Sequence, residues 1–347
     1  MSGEAGPRPL GRLSIALATY NGARHLGEQL DSYLAQTRQP DELVVGDDGS
    51  TDGTLDLLRA FAARAPFPVR VTVNQPNLGP ARNFAATIAR CSGDVVFLSD
   101  QDDIWLPEKL ETMVRFLAAH PRCLLATHDA ALVDAAGVPL GPTLGRQIER
   151  AGGLAGRDLI AGCCMAVDAR LAALMQPMPR LREHDSWLAI AAEALDARGH
   201  LAAPLIRYRR HGSNVSQSYM SDHRPATAWR RFRERAERAL DEPVLVSLDA
   251  GAAAREDLVA ALQRQCAGLA GVLGQAAVSL AIARVSARLA TDQRRAALIR
   301  APLAQRPRRW LEAAKAGDYS GSDGLLSLLR DLRGMLAGGA GPGGAGQ

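Results

Sequence analysis

Four short apolar runs, spaced by helical patterns, constrain the first hundred residues to one type of architecture. Leu13-Ser14-Ile15-Ala16-Leu17-Ala18-Thr19, Glu42-Leu43-Val44-Val45-Gly46, Val69-Arg70-Val71-Thr72-Val73 and Val95-Val96-Phe97-Leu98-Ser99 read as strands. Between them, Leu26, Leu30, Tyr33 and Leu34, then Leu55, Leu58 and Phe61, then Phe84 and Ile88 recur at helical spacing. Pro80 suits the first turn of that third helix. The alternation β-α-β-α-β-α-β with short connections predicts a mainly parallel sheet with helices on both faces. Ligands of such sheets bind beyond the carboxyl ends of the strands. Three strand ends here are polar: Thr19-Tyr20-Asn21-Gly22, Asp47-Asp48-Gly49-Ser50-Thr51-Asp52-Gly53, and Asp100-Gln101-Asp102-Asp103.

The fourth strand ends in three aspartates within four residues. Carboxylates this close repel one another, and a divalent cation offsets the repulsion. Mg²⁺ is held by one or two carboxylates together with substrate phosphates, so Asp100 and Asp102 read as ligands to a metal that also holds a phosphorylated compound. The competing interpretation is a solvated acidic turn whose Asp103 caps the next helix. Convergence of three polar strand ends on one edge favours the metal. No Walker loop and no Gly-x-Gly-x-x-Gly follows the first strand. Phosphates are therefore expected to be neutralised by metal and by Arg82, whose bland alternative is a surface helix arginine.

Beyond the acidic turn, Leu124 to Asp129 and Leu205 to Tyr208 read as strands, Leu132 to Leu140 as strand and turn, and Cys163 to Val167 as a short strand. Asp168 is expected to start a helix. Gly141 to Gly156 reads as a Gly-rich loop able to cover a substrate. Asp185 lies at a helix start, where a carboxylate favours the helix dipole or projects as a general base. His211, in Arg209-Arg210-His211-Gly212-Ser213-Asn214-Val215, is able to ligate a metal or contact phosphate.

From Asp222 onward the pattern is helical. Trp229, Phe232, Ala236 and Leu240 share a face, Leu258, Leu262 and Leu269 repeat the spacing, and so do Leu280, Ile282, Val285 and Leu289. Two more helices are expected around Arg308-Arg309-Trp310 and over Leu325 to Leu336. Arginines gather after Arg207 although the net charge is only +4; that half is suited to an anionic ligand or a membrane surface, with plain packing as the alternative. Few aromatics interleave with the basic residues, which argues against nucleic acid. The five cysteines show neither zinc spacing nor a disulfide framework, and a reduced, cytoplasmic setting fits them. Met1 to Arg12 lacks a signal-peptide core and no run of 18 apolar residues occurs, so no transmembrane helix is expected.

Taken in order, Ala18-Thr19-Tyr20-Asn21-Gly22, Asp47-Asp48-Gly49-Ser50-Thr51-Asp52, Asn77-Leu78-Gly79 with Arg82-Asn83, and Ser99-Asp100-Gln101-Asp102-Asp103 resemble the family 2 glycosyltransferases. The resemblance implies the GT-A fold, a Rossmann-like, mixed, mainly parallel sheet with flanking helices, here with a C-terminal α-helical extension. It covers residues 12–220, leaving 1–11 as a flexible N-terminus, 221–337 as a helical region and 338–347 as a disordered Gly-rich tail. Ser99 to Trp105, Gly162-Cys163-Cys164-Met165, His184-Asp185-Ser186-Trp187 and Tyr208 to Val215 are similar to the bacterial rhamnosyltransferase branch, which uses dTDP-L-rhamnose in surface polysaccharide synthesis.

By that resemblance Thr19, Tyr20, Asn21, Asp47 and Asp48 line the nucleotide pocket, with one aspartate facing the pyrimidine, joined by Arg82 and Asp100. Asp102, Asp100 and His211 attend a Mg²⁺ or Mn²⁺ ion, and Asp185 is the catalytic base of an inverting transfer. Many relatives carry an acidic residue where this chain has His184. The implied partners are a dTDP- or UDP-sugar and a glycan or lipid-linked acceptor, with peripheral contact to the cytoplasmic face of the inner membrane. Two other classes compete: a phosphohydrolase with an Asp-x-Asp nucleophile, and a non-catalytic nucleotide-sugar or glycan-binding scaffold on the same fold.

Overall fold

The computed structural model describes residues 11–177, 179–180, 183–211, 244–320 and 324–337. They divide into two compact units, one within Met1–Pro225 and Arg264–Val278, the other within Ala226–Gln263 and Ser279–Gln347.

The first unit is built on strands β1 (Leu13–Thr19), β2 (Glu42–Asp47), β3 (Val69–Val73), β4 (Val95–Ser99), β5 (Ile104–Trp105), β6 (Leu125–Val133), β7 (Met165–Asp168) and β8 (Arg198–Arg209). They form one eight-stranded sheet in the order β3-β2-β1-β4-β7-β6-β8-β5. β3, β2, β1 and β4 are parallel to one another, as the alternation predicts. β7 then runs antiparallel to both β4 and β6, and β5 antiparallel to β8. Helices α1 (Ala23–Leu34), α2 (Thr54–Ala62) and α3 (Pro80–Ile88) connect the parallel strands, and α4 (Lys109–Ala119) follows β5.

Burial explains the pattern of the sequence. Every residue of β2 is buried, two of them acidic. Glu42 is tolerated there because it accepts from Ser14 Oγ (2.5 Å) and the Ser92 N–H (2.6 Å) and pairs with Arg70 (2.7 Å). Beneath the sheet, Leu26, Leu30 and Tyr33 of α1 join Leu17, Phe97 and Trp105 in one apolar cluster. Burying each such side chain contributes about 1.5–3 kcal/mol.

One competing interpretation falls and two expectations are corrected. Asp103 does not cap a helix: it is fully buried, β5 follows it, and Glu108 occupies the N-cap of α4. The stretch from Gly141 to Gly156 is not a loop. It contains helix α5 (Leu144–Arg150), capped by Thr143 and seated by Leu144 and Ile148, and a short turn of helix at Ala155–Asp158. Glycine content hid the cap, and the Gly145 N–H is held by Asp129 Oδ1 at 2.7 Å. Cys163 and Cys164 lie in a 3₁₀ turn ahead of β7.

In the second unit, helices span Val244–Arg264, Gln275–Arg300, Arg306–Lys315 and Gly324–Ala337, the first two reaching past the unit boundary. The long middle helix buries Ala281, Val285, Asp292, Arg295, Ala296 and Ile299, whereas Leu280 is 50% exposed. Of the expected face, Val285 is buried, Ile282 and Leu289 are half-buried, and Leu280 is exposed. Arg295 makes a two-pronged pair with Asp331 at 2.8 Å on each arm, and Tyr319 donates to the same carboxylate at 2.9 Å. Trp229, Phe232, Ala236, Leu240 and the Gly-rich tail lie outside the described residues. No described helix is long and apolar enough to cross a membrane.

Candidate functional site

Parallel pairing sets the carboxyl ends of β1, β2 and β4 side by side: Thr19 is the register partner of Asp47, and Leu17 of Ser99. Thr19 Oγ1 donates to Asp47 Oδ2 at 2.7 Å. Asp47 also receives the N–H groups of Gly49 (3.2 Å) and Ser50 (2.8 Å) and the Ser50 hydroxyl (2.6 Å). A carboxylate accepts about four hydrogen bonds, so Asp47 is saturated within the protein. Asp48 accepts from Asn74 Nδ2 (3.0 Å) and the N–H groups of Leu78 (2.9 Å) and Gly79 (2.8 Å). Gly79 turns its N–H to Asp48 at φ 79°, a left-handed backbone that favours glycine. Asp48 keeps one acceptor position and is the aspartate of the pair able to receive a base N–H.

The turn after β1 is fixed from two sides. Gln101 accepts from the Tyr20 N–H (2.9 Å) and donates to the Tyr20 carbonyl (3.1 Å). Asn21, at φ 47°, donates its N–H to Ser50 Oγ (2.9 Å) and accepts from the Thr51 N–H (2.8 Å). A Cβ on Gly22 would fall 2.2 Å from Gln101 Oε1. The Tyr20 side chain is left 53% exposed, free to stack on a flat ligand. Arg82, on the first turn of α3, is exposed and makes no ion pair among the described residues.

Antiparallel pairing of β4 with β7 carries Gly162 and Cys163 to the end of β4, and pairing of β5 with β8 carries Arg209 to the acidic turn. Arg209 donates its main-chain N–H to Asp103 Oδ1 (3.1 Å), Nε to the Asp102 carbonyl (3.0 Å), Nη1 to the Ala135 carbonyl (2.8 Å) and Nη2 to Glu28 (2.5 Å). Two residues on, His211 Nε2 lies 2.9 Å from Asp102 Oδ2. The structure therefore unites Asp102 with His211. It gathers Asp100 with Asp103 and the Cys163 thiol, their ligand atoms within 4.8 Å of one another.

Asp103 Oδ2 is buried without a hydrogen-bond partner. Burial and the charges of Asp102 and Asp100 hold Asp103 well above the usual carboxylate range. Asp100 is pushed up to about 7 by burial, then by the charges of Asp102 and Asp185. Asp185 is thus in electrostatic reach of the acidic turn. It sits on the first turn of the helix His184–Ala194, accepts from the Ser186 N–H (2.7 Å) and the Gly162 N–H, and is raised mainly by burial. His184 plays a different part: it stacks on Phe84 with centroids 4.0 Å apart, and burial drops its pKa to about 3. It is a neutral wall against which Asp185 is set.

Four contributors escape a reading by motif. Gln101 lies inside the acidic motif but binds the first turn. Arg209 reads as one arginine of a basic run. His25 stacks on His211, centroids 5.1 Å apart and 24° from parallel. Lys109 is fully buried, 3.7 Å over the Trp105 ring, with Nζ donating to the Cys163 carbonyl at 2.7 Å; burial lowers it to about 8. A signal existed for Lys109, which falls on the apolar face of α4 with Met113 and Val114.

Asp100 and Asp103 offer hard carboxylate oxygens beside the Cys163 thiol, and the Asp102–His211 pair offers a further carboxylate and an imidazole; the carboxylates suit Mg²⁺ or Mn²⁺, and the unpartnered Asp103 oxygen marks a turn whose polar groups are not all satisfied internally. The residues present fit such an ion.

Residues 14–162 match the glycosyl transferase family 2 profile. An uncharacterized glycosyltransferase of Nostoc sp. is 38% identical over 103 residues, 30% of this chain and 32% of that protein. TuaG of Bacillus subtilis, named as a teichuronic acid biosynthesis glycosyltransferase, is 25% identical over 209 residues, 59% of this chain and 82% of its own. The chain spans 32 to 39% of the length of the curated relatives it matches at 33 to 38% identity. Among solved structures, S. aureus TarS 1-349 in complex with UDP superposes with a TM-score of 0.50 at 15% identity, over 94% of this chain and 89% of that one. The fold is that of the GT-A glycosyltransferases.

Proposed function

From a chain whose residues 14–162 match the glycosyl transferase family 2 profile, we propose an inverting, divalent-metal-dependent glycosyltransferase. It moves L-rhamnose from dTDP-L-rhamnose to a hydroxyl of a glycan or lipid-linked acceptor in bacterial surface polysaccharide synthesis. The observation that carries the proposal is the convergence of Asp48, Asp102, His211 and Asp185 around the carboxyl ends of β1, β2 and β4. TuaG's printed role supports the polysaccharide context, and the rhamnose assignment rests on the resemblance alone.

Asp48 receives the pyrimidine N–H, and Tyr20 covers the base. Thr19, Asn21 and Asp47 hold the two turns that frame the pocket. Arg82 faces the diphosphate. Asp102, Asp100 and His211 would hold Mg²⁺ or Mn²⁺, which as a Lewis acid offsets the negative charge developing on the leaving diphosphate. Asp185 takes the proton from the acceptor hydroxyl as its oxygen attacks the anomeric carbon and the C–O bond to the diphosphate breaks. Its raised pKa brings its basicity nearer to working pH. Attack from the face opposite the leaving group inverts the anomeric centre. A lipid-linked acceptor would be met by peripheral contact at the cytoplasmic face of the inner membrane, a reading that rests on the resemblance.

The test is dTDP release from dTDP-L-rhamnose in the presence of Mn²⁺ and an acceptor glycan, with the product linkage read by NMR. Product of inverted configuration, lost in Asp185→Asn, is expected. Donor binding without transfer to any acceptor would favour a binding scaffold.

A further inference from the structure

We propose that His25 is a positioning residue: its imidazole, stacked on His211, holds His211 Nε2 against Asp102 and so presets the ligand geometry of the acidic turn. The inference rests on the proposed donor site and extends it to a residue that no motif assigns.

His25 and Glu28 are three apart on α1, hence on one face of the helix. Both reach the end of β8. Glu28 Oε2 accepts from Arg209 Nη2 at 2.5 Å, and the His25 ring lies 5.1 Å from that of His211, 24° from parallel. One turn of helix thus touches residues 209 and 211. Those two residues in turn hold Asp102, Arg209 through the main-chain carbonyl at 3.0 Å and His211 through the carboxylate at 2.9 Å. α1 begins directly after the Tyr20-Asn21-Gly22 turn, so the same rigid element joins the nucleotide half of the site to the metal half.

Geometry separates positioning from ligation. The His25 side chain makes no hydrogen bond or ion pair among the described residues, and its one ring contact is with His211. Its contact is through the ring face. An imidazole on a loop end samples several rotamers, and ordering a rotamer-rich side chain costs about 0.5–1.5 kcal/mol. A stacked neighbour removes that cost before the ligand arrives, a gain of roughly two- to tenfold in affinity.

The experiment uses the full chain as wild type, His25→Ala and His25→Phe. Two readouts are taken: the His211 ring ¹⁵N shifts in the metal-free protein, and Mn²⁺ binding by EPR titration in the presence of dTDP or UDP. Positioning predicts that His25→Ala moves the His211 Nε2 resonance and weakens Mn²⁺ binding about two- to tenfold, while His25→Phe, which keeps a flat ring, stays near wild type in both. Unchanged His211 shifts in His25→Ala would overturn the inference. Equal loss in His25→Ala and His25→Phe would also overturn it, since the nitrogen and not the stack would then be needed. Absence of Mn²⁺–nucleotide binding by the wild type would instead remove the donor-site reading, with the His211 shifts still deciding the role of His25.

Discussion

Arg209 Nε donates to the Asp102 carbonyl at 3.0 Å, so the last residue of β8 fixes the main chain of the acidic turn that β4 delivers. Its other donors reach the Ala135 carbonyl and Glu28. Because Glu28 is 60% exposed, its ion pair adds little, and the weight falls on the carbonyl bonds.

Replacement of Arg209 by Ala leaves these carbonyls without their donor and opens the turn. Destabilisation of about 1.5–3 kcal/mol is expected from losing charged donors to part-buried acceptors. Arg209→Lys recovers less than half, since an ammonium lacks the planar fork. Urea unfolding midpoints measure both; an unchanged midpoint in Arg209→Ala would remove Arg209 from this role.

Asp185→Asn keeps the size of the side chain and removes the proposed base. The turnover number should fall by roughly 10²–10⁴, while the donor KM stays within about twofold, because the proposed role sets Asp185 against the acceptor and not the nucleotide. Steady-state kinetics separate the two constants. A large KM change with normal turnover would assign Asp185 to donor binding.

Stability should depend on pH with a definite sign. Burial and neighbouring carboxylates raise Asp100 to about 7, above the ~4 of an unfolded aspartate. Between those values the folded chain binds more protons than the unfolded one, so metal-free stability falls as pH rises through that window. Asp103, also raised, acts in the same direction. A divalent cation competes with these protons. Mn²⁺ should therefore raise the melting temperature more at pH 8 than at pH 5, as read by scanning fluorimetry; equal increments would contradict it.

The parallel half of the fold is legible because β1, β2 and β4 carry mainly apolar, buried runs ended by polar turns, while β3 alternates valine with Arg70 and Thr72. Its site residues are legible for the same reason: they occupy those turns. The antiparallel half is less so. Nothing local to Met165–Asp168 announces that β7 inserts between β4 and β6, and that insertion is what brings Gly162 to Asp185. Arg209 and His25 are silent in sequence because their partners lie 107 and 186 positions away, respectively Asp102 and His211. The helix at Leu144–Arg150 was hidden by glycines around it, although Thr143 is an ordinary capping residue.

The most direct measurement is calorimetric binding of dTDP-L-rhamnose to the full chain with Mn²⁺ and with EDTA, for wild type and Asp102→Ala. The account predicts binding that weakens at least about tenfold in EDTA and again in Asp102→Ala, a loss comparable to one charge-assisted ligand. Equal affinity with and without metal, undisturbed by Asp102→Ala, would contradict a metal site at the end of β4.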